Sequence, residues 1–292
     1  MNMKDARDMI LVRHPRLKLG LIKEIGIDNI KKASPQKTQR HRHIQLTFML
    51  KGSLSWISSS GKAIHLNGGE YCVTTHGNTF ETSYDVFSPC SLMWIIFDPC
   101  AKNAEHYEFF NSKELSEINN SLKNASNSTH KINQTMHFYI RNLRELLIKT
   151  DKKKICRADM LRIRVLLMGI LVESSNSSKE IKKQTTIDLC PQVRRLILEQ
   201  PERNLQVKDI ADFFMLSPNF FGKKFRAESG MSVADFARRV KLEEAIRLMC
   251  EESKNITETA FSLGFSSTQY FATIFKKYFG CAPNQFKAKS QK

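Results

Sequence analysis

The 292-residue chain has no long hydrophobic run. Its densest apolar stretch, VLLMGILV at 165–172 behind Arg162 and Arg164, falls far short of the roughly 18 to 20 residues that span a bilayer. No membrane partner is expected. An apolar signal core is missing too: the first ten residues, MNMKDARDMI, mix both charges, so nothing directs export and the cytoplasm is the expected compartment. Cysteines are few and scattered. The seven stand at 72, 90, 100, 156, 190, 250 and 281, with no two at C-x-x-C spacing. An odd count with such spacing argues against structural disulfides and against a cysteine zinc site, leaving reduced thiols. Acid is short as well: 29 Asp and Glu face 46 Lys and Arg, a net charge of +17 with a pI near 9.6. Such a surplus favours a polyanionic partner, because cations that neutralise phosphates gain from counterion release.

What the sequence has is a change of pattern along its length, with room for about two domains. Between 17 and 97 it reads as short strands, LTFMLKG, LSWIS, AIHL, YCVTT and SLMWIIF, separated by Gly52, Gly61, Asn67-Gly68-Gly69 and Gly77-Asn78. This spacing predicts a small β-barrel or sandwich. Met136, Tyr139, Ile140, Leu143, Leu146 and Leu147 then recur at helical spacing, and 160–172 is apolar nearly all round. Two such helices need a partner surface, either the barrel or a second subunit. The segment SSNSSKEIKKQTT at 174–186 is polar and aperiodic and reads as an exposed connection. Beyond it, helical segments follow one another at short intervals to the end.

Charge is unevenly placed. Residues 1–184 carry +12 and 185–292 carry +5, so the more basic part is not the helical one. Within the helical part, however, 217–241 holds six basic and two acidic residues, and 266–292 holds five basic and none acidic. The intervening 242–258 holds five glutamates against Arg247 and Lys254.

A repeat explains this placement. The segment 217–230 recurs at 267–280, pairing Ser217 with Ser267, Phe221 with Phe271, Phe225 with Phe275 and Gly230 with Gly280. Serine before a helix can accept from a free N–H, proline at the first helical position wastes no donor, and glycine suits the left-handed position that ends a helix. Two similar helices are therefore expected. In the first, Phe220, Phe221 and Phe225 are assigned to a core, leaving Asn219, Gly222, Lys223 and Arg226 on the opposite stripe. In the second, Tyr270, Phe271, Ile274, Phe275 and Tyr278 are the apolar set, leaving Gln269, Ala272, Thr273 and Lys276. Amides can pair with adenine, lysine can donate to guanine or phosphate, and a methyl can meet the thymine methyl. A plain solvated face is the ordinary reading of one such stripe; two in matching units weigh against it.

The segments VKDIADFFMLSPNFFGKKF, FRAESGMSVADFARRVKLEEAIRLM and ITETAFSLGFSSTQYFATIFKKYFGCAPNQF resemble the AraC/XylS family of bacterial transcription regulators. GFSS, YF, FKKYFG and the P-x-x-F of Pro283 to Phe286 are the most specific part, and the resemblance covers roughly 189–287. It implies two helix-turn-helix subdomains, 207–230 and 256–280, joined by a long helix at 233–250. These would set two recognition helices in successive major grooves about 34 Å apart. By position, it makes Asn219, Gly222, Lys223, Thr268, Gln269 and Thr273 base-contact candidates and Ser217, Arg226, Ser267 and Lys276 phosphate-contact candidates. Gly222 and Thr273 depart from the family, which often has a longer base-contacting side chain at the first position and arginine at the second.

The stretch 40–97 is loosely similar to the cupin-like barrel that many members carry for sensing an effector or for dimerising. Within the family, GSLSWISSS and SLMWIIFD are similar to activators of type III secretion genes, which protein partners control. An effector pocket would involve His41, His43, Trp56 and His76. The H-x-H of His41 and His43 lacks a carboxylate where metal-binding cupins place one, so no metal is expected.

The expected architecture is thus α+β: a cupin-like β domain over 1–100, a helical dimerisation region over 101–175, a linker over 176–187 and an all-α DNA-binding domain over 188–292. The expected function is sequence-specific binding of double-stranded DNA by a homodimeric activator that works with RNA polymerase under a small-molecule or protein effector. No catalytic residue or cofactor is expected. The rival readings are a repressor, a cupin or DNA-repair enzyme fused to the same module, and a non-specific packaging protein.

Overall fold

Apolar residues that alternate along a strand point to opposite faces and so require two different partners. The computed structural model supplies both. It describes residues 7–13, 19–35, 39–40, 42–58, 63–75, 79–82, 86–101, 110–151, 155–177 and 189–290. The N-terminal region is built on antiparallel sheet and the C-terminal region is helical. The strands are β1 (Arg7–Arg13), β2 (Ile22–Ile30), β3 (Ser34–Pro35), β4 (Gln39–Arg40), β5 (Ile44–Lys51), β6 (Ser53–Ser58), β7 (Ala63–Asn67), β8 (Glu70–Thr74), β9 (Thr79–Thr82), β10 (Val86–Phe87), β11 (Cys90–Phe97) and β12 (Thr129–Lys131). One sheet has the order β1-β2-β11-β5-β8-β12 and a second has β4-β9-β6-β7; β10 pairs with β3. Along β11, Met93, Ile95 and Phe97 enter one core, while Leu92 and Trp94 pack with Leu54, Trp56, Ile64 and Leu66 of the second sheet. Along β8, Tyr71 and Val73 take the first side and Cys72 the second.

The first core is covered by α1 (Ser112–Asn124), α2 (Gln134–Thr150) and α3 (Arg157–Ser177). A capping box starts α1: Glu114 N–H donates to Asn111 Oδ1 at 3.0 Å and Asn111 N–H donates to Glu114 Oε2 at 2.8 Å. Met136, Ile140, Leu143 and Leu147 of α2 are buried with Ile163, Leu167, Ile170 and Leu171 of α3. The Tyr71 hydroxyl donates to the Ser174 carbonyl at 3.4 Å, fixing α3 over the sheet. The outer sides of α2 and α3 carry exposed apolar residues among charged ones: Phe138, Ile148, Leu161 and Val165 lie in the open, Val165 at 59%, beside Glu145, Lys149 and Arg162. A cleft of about 590 Å³ between them is lined by Phe138, Leu146, Leu161 and Val165.

Several elements were not named individually from the sequence: β1 and β2 within the stretch expected to be β, α1 within the stretch expected to be helical, and β12, a strand where helix was expected. The last is a three-residue strand between helices that extends the large sheet by pairing with β8. The expected connection at 176–187 begins inside α3, which runs to Ser177; 178–187 lie outside the described residues. Among the described residues no helix is long and apolar enough to cross a membrane.

The C-terminal helices are α4 (Leu189–Glu199), α5 (Val207–Phe213), α6 (Pro218–Ser229), α7 (Val233–Cys250), α8 (Ile256–Ser262), α9 (Thr268–Phe279) and α10 (Pro283–Ser290). They form two cores that share α7. Its first half supplies Val233, Phe236 and Val240 to a cluster with α4, α5 and α6. Its second half supplies Leu242, Ala245, Leu248 and Met249 to a cluster with α8, α9 and α10. Phe286 of the P-x-x-F motif closes the second core against Phe275 and Phe279, with ring centroids 5.5 and 5.7 Å away.

Candidate nucleic-acid interface

The repeated segments become α6 and α9, two 12-residue helices entered and left alike. Ser217 accepts from the Phe220 N–H at 3.3 Å and Ser267 from the Tyr270 N–H at 3.1 Å. Each cap contributes about 1 kcal/mol, and each hydroxyl keeps its own proton free to donate outward. Gly230 and Gly280 end the helices at φ +65° and +79°, a left-handed conformation that glycine adopts without a Cβ clash.

Both helices bury a narrow stripe. In α6 it is Phe221, Phe225 and Ser229, and in α9 it is Phe271, Phe275 and Phe279, at spacing i, i+4, i+8. Asn219, Lys223, Arg226, Gln269, Thr273 and Lys276 are exposed, while Gly222, Ser267, Thr268 and Ala272 are half-buried. Phe220 and Tyr270 correct the assignment made from residue type. They are exposed at 56% and 43%, rather than turned to a core. Each lies one residue, or about 100°, from the buried Phe221 or Phe271, and a stripe this narrow cannot take both members of an adjacent aromatic pair. They occupy the same position in both repeats, beside Asn219 and Gln269. The repeat offset was a signal that the two share one environment, though not which one.

Two residues acquire a specific chemistry. Thr273 donates its hydroxyl to the Gln269 carbonyl at 2.9 Å, so its methyl group is what remains to meet a base edge. An added Cβ at Gly222 would find no heavy atom within 4 Å. No packing among the described residues therefore requires glycine there, although glycine costs the helix about 1 kcal/mol relative to alanine.

Electrostatics separates the reading stripes from the rest of the region. On and around α7 the cations are matched by acids. Glu243 takes Arg194 at 2.6 Å and Arg239 at 3.1 Å, Arg247 takes Glu244 and Glu252, and Arg238 takes Asp235 at 2.9 Å. Burial pushes the Glu243 carboxyl up, but Arg239 and Arg194 outweigh it and hold the group below the ordinary carboxylate range. By contrast Lys223, Lys224, Arg226 and Lys276 face no carboxylate within ion-pair distance among the described residues. Four cations left uncompensated on two matching helices can meet phosphate without first breaking an ion pair.

Of the four N-terminal candidates, Trp56 and His43 are among the described residues. Trp56 is buried in the core with Leu54 and Ile64. His43 stands at the start of β5 with Nδ1 3.6 Å from Asp98, which also pairs with Lys23 at 3.3 Å. His41 and His76 lie outside the described residues. Among the described residues no group of three or more His, Cys, Asp or Glu converges as metal ligands would.

Comparison with known proteins agrees with this geometry. Residues 210–289 match the family model described as a helix-turn-helix domain. The Msm operon regulatory protein of Streptococcus mutans is 30% identical over 43% of this chain, a match that spans 45% of that protein's own length. The chain thus spans less than half of a relative it matches well. An HTH-type transcriptional regulator in the cgkA 5′ region of Pseudoalteromonas carrageenovora is 31% identical over 39% of this chain and 70% of that protein. The thermoregulatory protein LcrF of Yersinia pestis is 25% identical over 85% of this chain and 90% of its own length, so that likeness extends beyond the helical region. These relatives are regulators rather than enzymes, and with their shared C-terminal pattern they place this chain in the AraC/XylS family of transcription regulators.

Proposed function

We propose that the protein binds a specific site on double-stranded DNA by laying α6 and α9 in successive major grooves, and that it activates transcription from there together with RNA polymerase. The observation that carries this reading is the contrast between the two stripes and the helix joining them. Free cations and amides stand on α6 and α9, while the arginines of α7 are tied to carboxylates. In this reading α5–α6 and α8–α9 are two helix-turn-helix units joined by α7, within a DNA-binding domain over 188–292. Asn219, Lys223, Thr268, Gln269 and Thr273 read base edges, Gly222 lets the helix backbone approach, and Ser217, Arg226, Ser267 and Lys276 hold phosphates.

The N-terminal β region, read as a cupin-like domain over 1–100, is the sensing part, and the helical region over 101–175 is the dimerisation part. Exposed Phe138, Leu161 and Val165 on α2 and α3 support a homodimer, because a helix apolar on both sides buries only one of them against its own sheet. Control by a small effector or a regulatory protein acts through the β region. Repression is the second reading, since the same DNA grip serves it equally.

Competition binding at fixed salt tests the core of this proposal. The protein should prefer a selected site over random DNA by about 10³ or more. Equal affinity for both would make it a packaging protein instead.

A further inference from the structure

A single helix is a weak ruler. α7 is the one element shared by the cores around α6 and α9, and its 18 residues extend roughly 27 Å. Any bend or twist in it changes the distance and angle between the two reading helices. One further tie joins the two units directly, where a Cβ on Gly264 in the α8–α9 turn would lie 2.3 Å from the Glu202 carbonyl oxygen of the α4–α5 connection; the N-terminal β region provides another by gripping the C-terminal end of each reading helix.

At α6 the grip is backbone against backbone. The β7–β8 turn is so close to the end of α6 that a Cβ on Gly68 would lie 2.0 Å from the Ser229 carbonyl oxygen, and one on Gly69 would lie 2.6 Å from that of Glu228. From the other side, a Cβ on Gly230 would lie 2.7 Å from the Leu50 carbonyl oxygen and 3.0 Å from the Gly68 Cα. Three glycines thus meet where any side chain would push the two regions apart. At α9 the grip is a hydrogen bond: the Ala33 N–H, in the β2–β3 connection, donates to the Lys277 carbonyl at 3.1 Å. Between these points the end of β5 also meets the end of α6, where a Cβ on Gly230 would lie 3.2 Å from the Lys51 Cα. Nearby, in the first turn of α7, burial pushes the Asp235 carboxyl up, but Ser232 at 2.7 Å and Arg238 at 2.9 Å outweigh it and hold the group below the ordinary carboxylate range.

The contacts fall at the ends of the helices away from the first-turn base-contact candidates, while Arg226 and Lys276, assigned to phosphates, lie in the same last turns as the contacts. Asn219 and Gln269 stand in the first turns of α6 and α9, whereas Gly230 and Lys277 belong to the last. A β region seated there leaves the reading ends uncovered.

We infer that the β region is a brace: by holding the C-terminal ends of both reading helices it fixes their separation, and Gly68, Gly69, Gly230 and Ala33 are positioning residues for the spacing of the DNA half-sites. The inference rests on the two-groove reading above. α7 and the β region together close a triangle with α6 and α9, in which neither reading helix can swing without breaking a contact.

The test uses the full chain and a bipartite site selected from random DNA, together with derivatives in which two base pairs are inserted or deleted between the halves. Wild type should favour its own spacing by at least about tenfold. Gly68→Val forces the turn off α6 and Ala33→Pro removes the donor to Lys277. Each variant, and the pair combined, should reduce that preference to within about threefold, with the base preferences inside each half unchanged. Should Gly68→Val fail to fold, Ala33→Pro carries the same test. An unchanged spacing ratio in the variants overturns the brace. So does a rise in affinity with the ratio intact, which would make the contact an inhibitory clasp. Loss of base preference along with spacing also overturns it, since the contact would then support the fold alone. A wild type that selects a site but tolerates any spacing defeats the brace and leaves the proposed function standing; a wild type that selects no site defeats the proposed function itself.

Discussion

Gly222 and Gln269 carry the account at the scale of single residues. With open space around its missing Cβ, Gly222 is explained by a partner outside the chain or not at all. Gly222→Ala should raise thermal stability by about 1 kcal/mol through helix propensity while weakening binding to the preferred site. Equal or better binding would mean that no DNA backbone comes close there. Gln269→Ala should relax base preference at one or two positions and cost about 1 to 3 kcal/mol at the best site. Lys276→Ala, in contrast, should weaken all sequences alike and lower the salt slope by about one unit. The polar stripes of α6 and α9 were legible in the sequence because the repeat at an offset of 50 fixed the phase of each helix. It misplaced Phe220 and Tyr270 because residue type says apolar without saying which way a side chain points, and that depends on how narrow the packed face is.

Among the elements, α7 shows how charges are kept away from the interface. Its acids look, in the sequence, like a local excess that would repel DNA. In the fold they are spent on Arg194, Arg239 and Arg247, so among the described residues they leave the cations of α6 and α9 unpaired, where the proposed function has phosphates bind. The Glu243 pairing also makes stability depend on pH. Its carboxyl is held below the ordinary value near 4.5 in the folded chain, so its contribution is present above that value and fades as the pH falls through the lower, folded one. Glu243→Gln leaves Arg239, whose side chain is only 8% exposed, without its carboxylate, and should cost about 3 kcal/mol near neutral pH. The variant should then lose less of its remaining stability than wild type on acidification. Thermal unfolding between about pH 6 and pH 3 measures both effects, and parallel curves for the two proteins would remove the assignment. A strand where helix was expected, β12, escaped reading because of its length. β12 has three residues, too few for an alternation to register, and exists because β8 offers it an edge.

For the whole molecule, the sequence made the helical C-terminal region legible in detail and the β region only in outline. The helices carry local signals, namely caps, left-handed glycines and a 3.6-residue period. The sheets are set by long-range pairings such as β2 with β11, which leave no mark in any short window of sequence. The seating of the β region on the ends of α6 and α9 was invisible for the same reason: Gly68 reads as an ordinary turn residue until Ser229 is found beside it. The outer face of α2 and α3 leads to a prediction about assembly. The chain should sediment as a dimer at micromolar concentration and Val165→Arg should convert it to a monomer; a monomeric wild type removes the dimer.

The claim on which the rest depends is that two helices of one chain read two grooves. Selection of bound fragments from random double-stranded DNA, followed by sequencing, tests it most directly. The account predicts two conserved blocks for each bound chain, with centres about 10 to 10.5 base pairs apart, of which Gln269→Ala relaxes only one. A single block, or no enriched sequence at all, would contradict it.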